Sequence, residues 1–151
     1  MRATGATLIG IGVDTVEIER IALVASRHPR FAGRVLSEAE RARFECFRSE
    51  ARRASFLAGR FAAKEAVMKS LGVGMGRLRW RDISVISGPT GKPEVRLSGT
   101  ALKVAREQGV TRMHVSISHG REIALASAIA AAVDSEDDGE GRGGSGGKGR
   151  P

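Results

Sequence analysis

Residues 57–72 read LAGRFAAKEAVMKSLG. At about 100° per residue, Leu57, Phe61, Met68 and Leu71 share one stripe, and Phe56 and Val67 widen it on one side. The pattern predicts a long helix over 51–71, ended by Gly72, Gly74 and Gly76 in a flexible loop. Lys64 projects near the middle of the apolar stripe, and Arg60 lies within its widened arc. A cation in such an arc is costly unless it is paired or holds an anion, so an anionic ligand would account for both. Glu65 and Lys69 sit at the stripe's edge at i, i+4. As a surface salt bridge that pair is worth about 0.3–0.5 kcal/mol.

Upstream, TLIGIGV (Thr7 to Val13) is apolar and bounded by turn signals, the pattern of a buried strand. Asp14 follows it, where it either caps the next helix or sits at a strand's carboxyl end, where ligands gather. The glycines at 10 and 12 resemble the start of a dinucleotide-binding loop, but Thr15 stands at the third glycine position. A helix is expected from about residue 15 to Ser26, with Pro29 just beyond, and Ser37 with Glu40 forms a capping box that opens another.

Downstream, DISVIS (Asp82 to Ser87) and Glu94 to Leu97 flank a turn-rich GPTGKP and read as a hairpin. Gly99 to Gln108 reads as a helix closed by Gly109, and MHVSIS (Met113 to Ser118) as a strand. Ile123 to Val133 suits strand or helix and is taken as a strand. Helices and strands mix without regular βαβ alternation, which gives an α+β class: a single domain with an antiparallel sheet packed against the long helix.

The chain has 151 residues, enough for one real core. No apolar run nears the roughly 20 residues that span a bilayer, and no secretory signal or membrane association is expected. The single cysteine, Cys46, excludes an internal disulfide and fits a reducing, cytoplasmic setting. The domain is expected to occupy residues 1–133. Residues 135–151 hold seven glycines and no aliphatic residue, so 134–151 are expected to form a disordered tail. The formal net charge is +8, with ten arginines against four glutamates within 20–60. Such a surface suits an acidic partner. An RNA-binding module is the alternative, but five Phe, one Trp and no Tyr offer few stacking platforms.

Five segments in this order resemble the holo-(acyl-carrier-protein) synthases, small phosphopantetheinyl transferases. They are GIGVDTVEIER (Gly10 to Arg20), RFAGRVLSEAE (Arg30 to Glu40), FLAGRFAAKEAVMKSLGVGMG (Phe56 to Gly76), GKPEV (Gly91 to Val95) and HVSISH (His114 to His119). The resemblance implies transfer of the 4′-phosphopantetheine arm of coenzyme A to a serine of an acidic acyl carrier protein, with Mg²⁺. It implies Asp14 and Glu65 as Mg²⁺ ligands, and Arg60, Lys64 and Lys69 facing the phosphates of coenzyme A. Gly72, Gly74, Lys92 and Pro93 would frame the nucleotide, with His119 near the phosphates. Glu65, Lys69 and His119 would carry the catalytic roles, Glu65 standing first and His119 second as the base for the serine proton. Arg20, Val24, Arg27, Arg30, Phe31 and Arg34 would dock the carrier. A homotrimer with active sites between subunits, a role in fatty-acid synthesis and no nucleic-acid partner are also implied.

Overall fold

The computed structural model describes residues 5–74 and 76–133. In chain order it holds β1 (Ala6–Glu17), α1 (Ile18–Arg27), α2 (Phe31–Val35), α3 (Glu38–Glu45), α4 (Glu50–Ser70), β2 (Ile83–Ser87), β3 (Pro93–Leu97), α5 (Gly99–Glu107), β4 (Arg112–His119) and β5 (Ile123–Val133). A short 3-10 turn, Trp80–Asp82, precedes β2. The class is α+β, as the unalternated order of elements implied. Residues 134–151, expected as a disordered tail, lie outside the described residues.

One sheet has the order β1-β5-β4, antiparallel throughout, and β2 and β3 pair separately as the expected hairpin. β1 runs four residues beyond Val13, because Thr15, Val16 and Glu17 pair with Leu125, Ala124 and Ile123 of β5. Asp14 therefore lies inside the strand rather than at its end. Capping of α1 falls to Glu17, which makes no side-chain cap bond, so the helix-cap reading of Asp14 does not hold.

The long helix α4 lies across the inner face of the sheet. Its residues Ala62 to Met68 are all buried, more completely than a single apolar stripe requires, because helices and the β2–β3 hairpin cover the side away from the sheet. Small residues permit the close approach. The inward positions of β5 are Ala124, Ala126, Ala128 and Ala130, each nearly or fully buried. On β1 they are Gly10 and Gly12. A Cβ on Gly10 would stand 2.0 Å from the Ser70 carbonyl oxygen, and one on Gly12 1.9 Å from that of Ala66. The two glycines thus serve to bring strand against helix backbone, a role open to no other residue.

The outward face of the same sheet is apolar and open. Leu8, Ile11 and Val13 are 62%, 68% and 56% exposed, and Ile123, Leu125 and Ile129 join them from β5. A patch of this kind marks a contact surface.

The glycine contact yields a direct test. Gly12→Ala is expected to lower stability by about 3 kcal/mol, because two backbones must separate to admit one methyl group. Gly120→Ala, whose Cβ meets nothing within 4 Å, is expected to leave the melting temperature unchanged. Thermal denaturation of both variants checks this.

Candidate functional site

Gly10 sits against Ser70 and Gly12 against Ala66, so β1 climbs α4 toward its N-terminus by about one helical turn for every second residue. The next inward position is Asp14, which falls alongside the turn carrying Glu65. Lys69 closes this corner. Its ammonium donates to Asp14 Oδ1 at 2.8 Å and to the Val13 carbonyl oxygen at 2.9 Å. The i, i+4 pairing of Glu65 with Lys69 that the spacing allows is not made. Lys69 reaches across to the strand instead.

Glu65 is 7% exposed and accepts a 2.6 Å hydrogen bond on Oε1 from Trp80 Nε1. Among the described residues no basic side chain lies within salt-bridge distance of it. Among the described residues, the contacts to Lys69 and Trp80 leave Asp14 Oδ2 and Glu65 Oε2 uncommitted. Two carboxylates with free oxygens on one corner suit a hard divalent cation completed by phosphate and water oxygens, as Mg²⁺ prefers. No group of three or more His, Cys, Asp or Glu that could hold a metal ion gathers among the described residues.

Glu65 also lines a cavity of about 870 Å³ with Met68, Leu78 and Trp80 on its floor and arginines, including Arg30, Arg34, Arg79 and Arg81, around it. Arg60 and His119 line a different one, of about 350 Å³, together with Arg43, Arg52 and Phe56. Arg60 stacks on Phe56 with its guanidinium carbon 4.4 Å from the ring centroid. Its Nε is buried without a hydrogen-bond partner, since Glu40 Oε1 at 3.8 Å is too distant. Burial holds the Arg60 pKa below its ordinary value, against the pull of Glu40 and with the push of Arg43. Arg60, Arg43 and Arg52 set three guanidinium groups around this cavity, which favours an anion in it.

The description 4′-phosphopantetheinyl transferase superfamily belongs to the family model that matches residues 10–128 of this chain. The chain belongs to that family. Among similar proteins is the holo-(acyl-carrier-protein) synthase of Natranaerobius thermophilus, 42% identical over 123 residues, which are 81% of this chain and 96% of the relative. The crystal structure of the Plasmodium yoelii holo-ACP-synthase superposes with a TM-score of 0.79 at 36% identity, covering 86% of this chain and 99% of that one. The Bacillus anthracis synthase, solved in complex with coenzyme A (3′,5′-ADP), has a TM-score of 0.70 at 34% identity over 83% and 97% of the two chains. The chain is thus an enzyme of the phosphopantetheinyl transferase class.

In this transferase the family-implied residues divide into distinct places. Lys69 is joined to Asp14, Glu65 precedes Lys69 by one turn of α4, and Arg60 with His119 lines a cavity of its own. His119 is exposed at the end of β4. Gly72, Gly74 and Lys92 lie on exposed loop and turn positions and the half-exposed Pro93 opens β3, all outside both cavities. Arg20, Arg27, Arg30 and Arg34 are exposed, whereas Val24 and Phe31 are half-buried. Phe31 packs on Phe61 and on the edge of Trp80, at centroid distances of 6.1 and 6.3 Å.

Lys64 requires a correction. It is fully buried, and its ammonium donates to Glu40 Oε2 at 2.6 Å and to the Val35 carbonyl oxygen. The anion that its apolar position demands is a carboxylate of its own chain, so its burial removes it from the residues that face phosphates. Glu40 is the matching surprise. The capping box is present, but the same carboxylate also receives the Val85 amide at 2.8 Å and is 2% exposed. Sequence reasoning found the cap and missed the ion pair, because the cap is local and the pair is not. It also assigned no role to Arg43, Arg52 or the Trp80 indole, since nothing local distinguishes these arginines from the chain's others and the indole's bond to Glu65 spans 15 positions.

Burial pushes the Lys64 pKa down, and the charge and hydrogen bond of Glu40 oppose that push. Glu40→Gln is therefore expected to destabilise the fold by about 3 kcal/mol, leaving a buried cation without its partner. In that variant the Lys64 pKa falls further. Between the folded and unfolded values the unfolded chain then binds more protons, so stability rises with pH across that window. The expected result is a deficit that shrinks as the pH rises toward the ordinary lysine range, measured by denaturant unfolding at several pH values.

Proposed function

We propose that this transferase moves the 4′-phosphopantetheine arm of coenzyme A onto a serine of an acyl carrier protein, with Mg²⁺ held by Asp14 and Glu65. The observation that carries the reading is the corner in which two inward carboxylates keep free oxygens beside the Lys69 ammonium. The relatives named as holo-(acyl-carrier-protein) synthases, and the coenzyme A complex of one of them, support it. The pathway served is fatty-acid synthesis in the cytoplasm. The described residues contain no helix long and apolar enough to cross a membrane.

The chemistry follows from the residue types. The serine oxygen bonds to the β-phosphorus of coenzyme A, the bond to the bridging oxygen breaks, and adenosine 3′,5′-bisphosphate leaves. Mg²⁺, when bound, supplies charge stabilisation for the phosphate oxygens. Lys69 has a third N–H beyond those given to Asp14 and Val13, and it points catalysis toward the same charge. Glu65 takes the serine proton, directly or through water, with His119 as the second base. Arg60, Arg43 and Arg52, which line one cavity, hold the remaining phosphate charge of coenzyme A. Gly72, Gly74, Lys92 and Pro93 frame the nucleotide, and Arg20, Val24, Arg27, Arg30, Phe31 and Arg34 dock the acidic carrier.

Glu65 lines one cavity and Arg60 with His119 another, and the sheet's outer face exposes six aliphatic side chains. Both features favour an assembly in which Arg60 and His119 of one copy complete the Asp14–Glu65 corner of another. The family likeness implies three copies.

Incubation with coenzyme A, Mg²⁺ and an apo-carrier protein is expected to raise the carrier's mass by one phosphopantetheine. Asp14→Asn and Glu65→Gln are expected to cut kcat about a hundredfold or more while the melting temperature holds. Arg20→Glu with Arg27→Glu is expected to raise KM for the carrier about tenfold, with coenzyme A binding by calorimetry unchanged. No mass gain with any acidic carrier, or full activity in the carboxylate variants, defeats the reading.

A separate measurement addresses the assembly. Ile129→Asp on the open sheet face is expected to yield a smaller species by light scattering and to lose transfer activity. A fully active monomer of the wild-type chain contradicts the shared site.

A further inference from the structure

Among Lys64, Glu65 and Lys69 of α4, Glu65 stands out because its partner carries no charge. Lys64 has Glu40, Lys69 has Asp14, and Glu65 has the indole N–H of Trp80. A neutral donor fixes a carboxylate without cancelling its charge. Oε1 is held at 2.6 Å, and that hydrogen bond leaves Oε2 and the full negative charge for something else.

The indole is itself held on several sides. Its ring lies 5.4 Å from Phe61, one turn before Glu65 on α4, and 6.3 Å from Phe31 of α2 in an edge-on arrangement. The 3-10 turn that carries it is tied down by Asp82. The buried Asp82 carboxylate accepts from Arg79 Nε at 3.2 Å, and its carbonyl oxygen accepts the Ser98 amide at 2.9 Å. Trp80 is therefore a rigid donor, and a phenylalanine there would keep the aromatic contacts while losing the N–H.

We propose that Trp80 is a positioning residue for the transfer reaction: its indole N–H locks the Glu65 side chain so that Oε2 faces the metal and the phosphates. This rests on the reading of Asp14 and Glu65 as the metal-holding pair. Hydrogen bonds that orient ligating carboxylates are typically worth about 10- to 100-fold in metal affinity or activity.

The test uses the chain's own fluorophore, since Trp80 is its single tryptophan. With coenzyme A present and no carrier, Mg²⁺ is expected to change the wild-type Trp80 emission saturably. Glu65→Gln keeps an oxygen acceptor for the indole but loses the charge, and the response is expected to vanish. Trp80→Phe is expected to weaken Mn²⁺ binding, followed by the paramagnetic resonance of free Mn²⁺, by roughly tenfold. It should raise the Mg²⁺ concentration for half-maximal rate by the same factor, with metal-free coenzyme A affinity unchanged. If Trp80→Phe binds Mn²⁺ as tightly as wild type while Glu65→Gln does not, the positioning role is overturned and the metal pair stands. A wild-type emission that ignores a metal bound through Glu65 overturns it equally, without need of a folded variant. Mn²⁺ binding that neither Asp14→Asn nor Glu65→Gln weakens overturns the metal pair itself.

Discussion

The close seating of α4 on β1 is the contact on which the rest of this protein depends. With Gly10 and Gly12 facing the Ser70 and Ala66 carbonyls, strand and helix meet backbone to backbone. The alanines of β5 continue the same low floor beneath the helix. The packing interior has no slack at these positions, so the register of strand against helix is set to within one residue. That register brings Asp14 beside the turn of Glu65 and within reach of Lys69. A larger side chain at either glycine would lift the helix from the sheet and separate the two carboxylates.

The charges along α4 meet four different fates, and the differences explain their roles. Lys64 is buried and neutralised by Glu40, which also joins the α3 cap and the β2 backbone into one polar node. Such a node holds α3, α2 and the hairpin to the central helix. Lys69 is half-exposed and shared with Asp14. Arg60 keeps an orphaned donor, and Glu65 a free oxygen. Charge that the fold satisfies is structural, and charge that it leaves unsatisfied is available for a ligand. The two incomplete cases are an anion-seeking guanidinium and a cation-seeking carboxylate.

The sheet separates these groups from its open apolar face. Its inner face carries glycine and alanine under α4, while its outer face carries Leu8, Ile11, Val13, Leu125 and Ile129 in alternate positions. A strand with period 2 can serve both purposes at once, since successive side chains point to opposite faces. The same alternation that gives the helix its flat seat therefore gives the outer face its aliphatic side chains, with Ser127 set among them.

What the sequence by itself determined is what its local pattern encodes. The extent of α4, the Ser37–Glu40 cap, the hairpin and the closing strands were legible because each arises from neighbours a few residues apart. The motif order around GRFAAKEA carried the family in the same way. Tertiary structure alone decided what each charge would touch. Lys64 finds Glu40 across 24 positions, Lys69 finds Asp14 across 55, and Trp80 finds Glu65 across 15. Periodicity located Lys64 in an apolar arc and stated its need for an anion, but the identity of that anion lay in another helix. It likewise ended β1 too early, because Thr15 to Glu17 become strand through pairing with β5 rather than through their own pattern. Helical and strand propensities are properties of short segments, whereas the partner of a buried charge is a property of the packed core, where the cost of leaving it unpaired is felt.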